Sequence, residues 1–319
     1  MSALTVFLAF PGIQLLDVTG PVAILGAAND LLGRRAYDVV VATRAGGSMT
    51  SSCDLSIVTQ PLGAIAPSNA DVFFIPGGNE EGLRAMIADN AMRAWATEAS
   101  ATAGRFGSIC SGSIVLAAWD LIGDHRFASH WAAAPWFARH QPTLKLDAEA
   151  IYVEDGRLWT SAGVTAGIDM MLAIVEQDHG TGAGRAIAQR FVLSIRRPGT
   201  QSQFSPLLDA QAGRDGRYRD LIAWIALNLD QPLDVETLAT RAGESVRSFH
   251  RNFSAATGQP PASFVTRLKL DRARDLIASG QPLKTVAQAS GYPHVARLSA
   301  AFQRQFGMTA SAYRAVHGG

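Results

Sequence analysis

Cys110 is the residue of the first half of the chain that could bind or react with a small molecule. Cys110 lies in the run GSICSG, residues 107–112, in which a short apolar segment passes directly into a predicted helix. Such an elbow exposes a side chain above the end of a strand and aims helix N–H groups at it. We therefore expect a thiol of lowered pKa that lines a pocket. The competing interpretation is a small buried residue that only packs.

The second half carries a duplicated pattern that points to a different chemistry. Residues 238–258 read LATRAGESVRSFHRNFSAATG, and residues 286–307 read VAQASGYPHVARLSAAFQRQFG. Each copy has an alanine four residues before a glycine, then an apolar residue four before a phenylalanine, then a closing glycine. A spacing kept through six positions indicates an internal repeat.

Each copy predicts a helix-turn-helix unit. The glycine permits a tight turn after a short helix, and Ser245 is suited to cap the second helix of the first copy. Phe249 and Phe253 lie one helical turn apart and face the core. The side chains left outward, which suit a major groove, are Arg247, Ser248, His250 and Arg251 in the first copy and His294, Val295, Arg297 and Ser299 in the second. The competing interpretation is a pair of helical hairpins with solvated faces.

The elements that must position the elbow alternate between strand and helix. Apolar runs at 5–10, 37–43, 71–75 and 105–109 read as strands, and amphipathic stretches between them read as helices. Gly20-Pro21 predicts a helix start, 80–103 predicts one helix, and 49–59 and 152–161 predict strand pairs. This alternation predicts an α/β domain with a doubly wound, mostly parallel sheet, followed by an all-α domain with two helix-turn-helix units.

Domain limits follow from composition. Residues 205–216 hold proline, two glycines and few large side chains, which is typical of a linker. We expect domains at 1–197 and 217–319, joined by a linker at 198–216. In the second domain, residues 262–279 predict a helix that bridges the two units, and Thr309 is suited to cap the last helix.

Charge and composition narrow the function classes. Of 319 residues, 48% are hydrophobic and 17% charged, which indicates a folded protein. Residues 214–319 hold 14 Lys+Arg against 8 Asp+Glu, whereas 1–213 hold 14 against 19. A basic domain attached to an acidic one fits a nucleic-acid binder with a separate partner domain. No apolar run reaches the roughly 18 residues of a membrane span, and two cysteines favour a reduced, cytoplasmic setting.

These motifs carry two resemblances. Residues 217–317 resemble the AraC/XylS-type DNA-binding domain, although Thr309 and Ala310 stand around the position of that family's signature proline. Residues 3–195, with IPGG at 75–78 and the cysteine elbow, resemble the DJ-1/PfpI superfamily, which has the class I glutamine amidotransferase-like fold. The two together are the arrangement of the GlxA family of transcriptional regulators.

The resemblance implies a site and a function. It implies an acid near the cysteine, here Asp17, and a histidine near the pocket, here His130. Peptidase-like members place histidine directly after the cysteine, where this chain has Ser111. We expect no catalytic, metal or cofactor residues, and a ligand site formed by Asp17, Gly78, Cys110, Ser111 and His130.

The expected protein is a cytoplasmic, nucleoid-associated DNA-binding regulator and an activator. Its partners would be operator DNA, a small nitrogenous effector, a second copy of itself and RNA polymerase. Two alternatives stay open: an isocyanide hydratase-like activity of the first domain, and a first domain that only dimerises.

Overall fold

A computed structural model describes residues 2–193, 199, 218–306 and 308–317. The chain divides into two compact units, Met1–Gly199 and Thr200–Gly319. Apart from Gly199, the expected linker at 198–216 lies outside the described residues, so its limits stay a prediction. Gly307, the closing glycine of the second repeat, also lies outside them.

The first unit is built on one large sheet. The strands of this unit are β1 Ala3–Leu8, β2 Tyr37–Thr43, β3 Gly47–Thr50, β4 Ser56–Pro61, β5 Val72–Ile75, β6 Arg105–Ile109, β7 Arg126–Phe127, β8 Lys145–Leu146, β9 Tyr152–Asp155 and β10 Leu158–Ser161. Strands β7 and β8 form a separate small sheet. The eight-stranded sheet has the order β3-β4-β2-β1-β5-β6-β10-β9. Its centre is parallel, and the outer pairs β3–β4 and β9–β10 are antiparallel hairpins, as the sequence predicted.

Helices pack around this sheet. They are α1 Leu15–Leu32, α2 Glu80–Ala88, α3 Asn90–Thr102, α4 Gly112–Ala118, α5 Ala134–His140, α6 Thr165–His179 and α7 Thr181–Arg190. Every residue of β5 is buried, because a central parallel strand is covered on both faces. The α/β, mostly parallel architecture predicted from the alternating pattern is confirmed.

Helix α1 begins earlier than the sequence predicted. The expected start at Gly20-Pro21 lies inside the helix, which opens at Leu15 and therefore contains Asp17 in its first turn. Gly20 and Pro21 are instead the contact with α6. A Cβ on Gly20 would lie 3.0 Å from Ile168 Cγ1 of α6, and Gly20 and Pro21 are both buried. Gly20-Pro21 lets the two helices approach closely. The same dipeptide is also typical of a helix start, which is why the sequence predicted one here.

The single helix predicted over residues 80–103 is two helices. Asp89 ends α2 and caps α3, because its Oδ1 accepts hydrogen bonds from the N–H groups of Ala91 at 3.0 Å and Met92 at 3.1 Å. A capping carboxylate at this position satisfies helix N–H groups that would otherwise have no partner.

The second unit is helical in its described part. Its helices are α8 Arg219–Leu227, α9 Val235–Arg241, α10 Val246–Thr257, α11 Pro261–Ala278, α12 Leu283–Ala289, α13 Val295–Phe306 and α14 Ala310–His317. Two separate apolar cores divide it. One centres on Phe249, Phe253 and Phe264, and the other on Leu298 and Phe302. Each repeat therefore folds around its own core, and α11 contributes to both.

The turns of the two repeats confirm the glycine signals. Gly243 has φ +69° and Gly291 φ +65°, a region that favours glycine. The Ser245 side chain accepts from Ser248 N–H, and Thr309 Oγ1 accepts from Ala312 N–H, so both predicted caps are present.

One helix in the described residues, α1, is long and apolar enough by composition to cross a membrane. Its buried residues contribute to the core of the first unit, beside β2 and α6.

Candidate functional site

The elbow forms where β6 passes into α4. Cys110 has φ +59°, a left-handed backbone that is costly for a residue with a side chain. Its N–H donates to Ser161 O at 2.9 Å, which ties the elbow to the end of β10. Gly163 presses against it, since a Cβ there would lie 2.2 Å from Cys110 Cβ. The elbow predicted from GSICSG is therefore present, and its strained backbone is enclosed by the next strand end.

Asp17 lies beneath the elbow with none of its surface exposed. Its Oδ1 accepts from Val164 N–H at 2.7 Å and its Oδ2 from Gly77 N–H at 3.1 Å. Burial raises the pKa of this carboxyl to about 6, although those two N–H groups and a hydrogen bond with Cys110 oppose the shift. Asp17, in the first turn of α1, thus links the segments that follow β5 and β10 around one carboxylate.

The expected lowering of the Cys110 thiol pKa is wrong. Burial and the negative charge of Asp17 raise that pKa to about 12. The helix that follows has seven residues, and the hydrogen bonds with Ser111 do not outweigh a buried carboxylate in contact with the sulfur. At neutral pH the group is a protonated thiol that donates to Asp17, not a thiolate.

The more accessible part of the elbow is formed by Gly78 and Ser111. Both are half-buried, and Gly78 N–H donates to Ser111 Oγ at 3.3 Å. Gly77 beside them has no room for a side chain, because a Cβ would lie 2.7 Å from Ser111 Oγ. The structure therefore brings Asp17, Gly78, Cys110 and Ser111 together, with the first and third below and the other two toward solvent.

His130 belongs to the segment that packs beside α4. The neighbouring Ser129 accepts a hydrogen bond from Ser113 Oγ at 2.6 Å, which brings this segment to the helix that follows the elbow. His130 Nδ1 accepts from Ala132 N–H at 3.3 Å, and burial lowers the pKa of the ring. A neutral ring that accepts at Nδ1 carries its proton on Nε2. Trp131, 52% exposed, lies next to it with ring centroids 5.4 Å apart.

Two residues of the site were not predicted from the sequence, because neither belongs to a recognised motif. Val164, at φ +50°, supplies the shortest hydrogen bond to Asp17, and Gly163 fills the space against the elbow. Gly163 stands just before a helix in the run SAGVTAG, residues 161–167, and such a glycine indicates a tight turn. Nothing in the sequence indicated that this turn lies against Cys110.

Two cavities occur elsewhere on the first unit. One, of about 450 Å³, lies beside Phe10, Met49 and the Arg44–Asp89 ion pair. The other, of about 860 Å³, opens at the opposite sheet edge beside Arg105 and its partners. Neither is lined by the elbow residues.

The helix predicted to be the first recognition helix, α10, presents a basic outer face. Phe249 and Phe253 are fully buried, as predicted. The outward residues are exposed or half-exposed, namely Arg247, Ser248, His250 and Arg251.

The second recognition helix, α13, has a less charged outer face. His294 precedes it, and its carbonyl oxygen accepts from Arg297 N–H at 3.1 Å. His294 and Arg297 are exposed and Ser299 is half-exposed, whereas Val295 packs against the second core. Among the predicted outward residues, the second copy therefore offers one arginine, Arg297, where the first offers two.

Comparison with known proteins assigns both units. The DJ-1/PfpI family matches residues 3–177, and a helix-turn-helix domain family matches residues 238–315. The HTH-type transcriptional regulator CdhR of Pseudomonas aeruginosa is 28% identical over 97% of this chain and 91% of its own. The regulator GlxA of Rhizobium meliloti is 29% identical over 97% of this chain and 94% of its own.

Two further similarities cover the first unit. The isonitrile hydratase of Pseudomonas putida is 31% identical, but over 54% of this chain and 70% of its own. A crystal structure of a ThiJ/PfpI family protein from Pseudomonas syringae has a TM-score of 0.53 at 25% identity, covering 62% of this chain and 78% of that one. The similarity to regulators spans both units, and on this basis the chain belongs to the DJ-1/PfpI family, among the HTH-type transcriptional regulators that join such a domain to an AraC-type helix-turn-helix domain.

Proposed function

We propose that this DNA-binding regulator is a transcriptional activator controlled by a small nitrogenous metabolite bound at the elbow. The observation that supports this most is the duplicated helix-turn-helix with a basic outer face, Arg247 and Arg251, on a chain whose other unit has a ligand-type elbow. A DNA-binding role implies the cytoplasm, at the nucleoid. RNA polymerase is the further partner that activation requires.

The effector contacts the half-exposed layer of the elbow. Ser111 offers a hydroxyl, Gly78 a backbone surface without a side chain, and His130 an Nε2–H donor, which together suit a carboxylate or carbonyl group. Trp131 exposes an aromatic face that attracts an ammonium group. Asp17 and Cys110 lie below and hold this layer in place through the hydrogen bonds around the carboxylate. The ligand class is thus a small amine or zwitterion.

Binding without turnover is favoured by the state of the thiol. A pKa of about 12 leaves Cys110 protonated, and its proton points to Asp17 and not to an effector. A nucleophile needs a base that removes this proton, and an adjacent carboxylate with a pKa of about 6 is a weak base for that step.

The test begins with identification of the effector. Purified full-length protein is denatured, released small molecules are identified by mass spectrometry, and each is added back in a thermal-shift assay, since a specific ligand raises apparent stability by mass action. Asp17→Ala should lose the ligand-dependent change in operator binding and keep basal binding. The matched control is Asp30→Ala, which removes a surface carboxylate paired with Arg190. A normal ligand response in Asp17→Ala would refute the site.

Similarity to an isonitrile hydratase gives the enzyme alternative a concrete test. The full chain is incubated with a simple isonitrile, and addition of water is followed by mass spectrometry. Steady product formation that Cys110→Ala abolishes would support the enzyme, and its absence at micromolar protein supports a binding role.

A symmetric dimer is part of the proposal, because two copies double the DNA contacts of one chain. Sedimentation should show a dimer at micromolar concentration, with DNA or without it. A monomer under both conditions would contradict it.

A further inference from the structure

The two helix-turn-helix units meet in the second unit of the chain, at one lysine of α11. Lys269 Nζ donates to Gln231 O at 3.2 Å and to Gly291 O at 3.3 Å. Gln231 lies in the loop before α9, the first helix of the first repeat, and Gly291 lies in the turn of the second repeat. One ammonium group therefore binds a backbone carbonyl of the loop that leads into the first repeat and one of the turn in the second repeat.

The backbone of the second turn rests directly on the loop that leads into the first repeat. A Cβ on Gly291 would lie 2.2 Å from Leu229 O and 2.4 Å from Lys269 Nζ. Leu229 is buried in the core that contains Phe249 and Phe253. No side chain fits between these segments, so glycine and lysine together bring two carbonyl-rich turns into contact.

The position of this contact connects it to DNA reading. Gly291 precedes the second recognition helix by four residues, and the loop that holds Gln231 leads into the helix before the first. A shift at the contact would change the separation and rotation of α10 and α13. Two units that read one duplex need a fixed separation, because successive major grooves recur only once per helical turn, about 10 base pairs.

We propose that Lys269 is a positioning residue that fixes the spacing of the two recognition helices and thereby the spacing of the DNA blocks that one chain reads. This rests on the proposed DNA-binding function and adds a determinant that does not touch DNA. Lys269 is half-buried, and its two carbonyl contacts replace hydration that the ammonium loses there.

The test uses the full-length protein and a duplex selected by the wild-type chain from random sequence. The two blocks read by one chain are then separated by one added base pair, which displaces and rotates the second block. Wild type should lose roughly 10-fold or more in affinity, because one recognition helix no longer meets its bases. Lys269→Met keeps the stem and removes the donors, and should lose only about 3-fold or less.

Two further variants separate positioning from charge. Lys269→Arg retains a long cationic donor and should restore the wild-type spacing preference. Lys284→Met removes an exposed lysine from α12 by the same substitution and should leave the ratio of the two affinities unchanged. Lys269→Gln serves if the methionine variant does not fold. If neither folds, Lys269 supports the fold as a whole and the proposal is overturned.

The outcomes distinguish the two proposals. A wild-type chain that selects no DNA sequence refutes the proposed function. A wild-type chain that discriminates between the spacings, together with a folded Lys269→Met protein that discriminates equally, overturns the positioning role alone.

Discussion

The Asp17–Cys110 pair explains how a reactive type of residue becomes a structural one. The carboxylate accepts two backbone N–H bonds, from Gly77 and Val164, so it stays charged near neutral pH despite burial. That charge in turn keeps the proton on the thiol. The direction of the hydrogen bond is therefore fixed, from sulfur to carboxylate, and both groups lie beneath Gly78 and Ser111.

The raised pKa of Asp17 predicts a pH dependence of stability. The folded value of about 6 exceeds the unfolded value of 3.8, so its contribution is fully present below about pH 4 and is lost as pH rises through 6. Asp17→Asn cannot titrate. The unfolding free energy of wild type minus that of the variant should therefore fall by about 2 kcal/mol between pH 4 and pH 7. Denaturant unfolding followed by tryptophan fluorescence measures it.

The control for this measurement is Asp30→Asn, which changes a surface carboxylate of the same unit. A difference between wild type and Asp17→Asn that stays constant from pH 4 to pH 7 would show that Asp17 titrates with an ordinary pKa.

Thiol alkylation tests the other half of the pair. Cys53 is exposed and should react first with iodoacetamide, so Cys110 is followed in a Cys53→Ser background. At pH 8 a thiol with a pKa of about 12 is ionised in only about one molecule in 10,000, and its reaction should be slow. Adding Asp17→Asn should speed it, since the charge that raises the thiol pKa is removed. Equal rates by mass spectrometry would contradict this coupling.

At the scale of elements, sequence patterns predicted the existence of helices and strands more accurately than their first and last residues. The apolar run at 71–75 and the glycine turns at Gly243 and Gly291 signalled their structures directly, because strand burial and positive φ depend on local residue type. The helix start predicted at Gly20-Pro21 was wrong, because residue types that often begin helices are also those that close packing of α1 on α6 requires.

The candidate site shows the limit of sequence patterns more sharply. The cysteine elbow was predicted from strand-to-helix sequence, but its thiol pKa was not. That pKa depends on burial and on a carboxylate 93 positions earlier in the chain, which only the folded sheet brings to the sulfur. The Lys269 contact likewise joins backbone carbonyls, which residue types do not reveal.

The recognition helix α10 carries the next prediction. Arg247→Ala and Arg251→Ala should each cost about 1–3 kcal/mol on the selected duplex and relax preference at one base position, because a guanidinium reads guanine with two hydrogen bonds. Affinities are measured at one fixed salt concentration, since phosphate contacts depend steeply on salt. Arg185→Ala, an exposed arginine of α7, is the charge-matched control. If both recognition-helix variants keep affinity and selectivity, α10 does not read bases.

At the scale of the whole molecule, control of DNA by an effector requires a free-energy coupling between the units. An effector that binds equally well to the DNA-competent and incompetent states shifts nothing, so the response itself implies differential binding. A coupling of about 1–3 kcal/mol corresponds to a 5–150-fold change in operator affinity.

By linkage, operator DNA must then tighten effector binding by the same factor. Calorimetric titration of the full-length protein with effector, free and saturated with duplex, should give that factor, and Asp17→Ala should reduce it to about one while basal DNA binding persists. An Asp17→Ala protein that keeps the wild-type coupling factor would mean that the small molecule acts through a site other than the elbow.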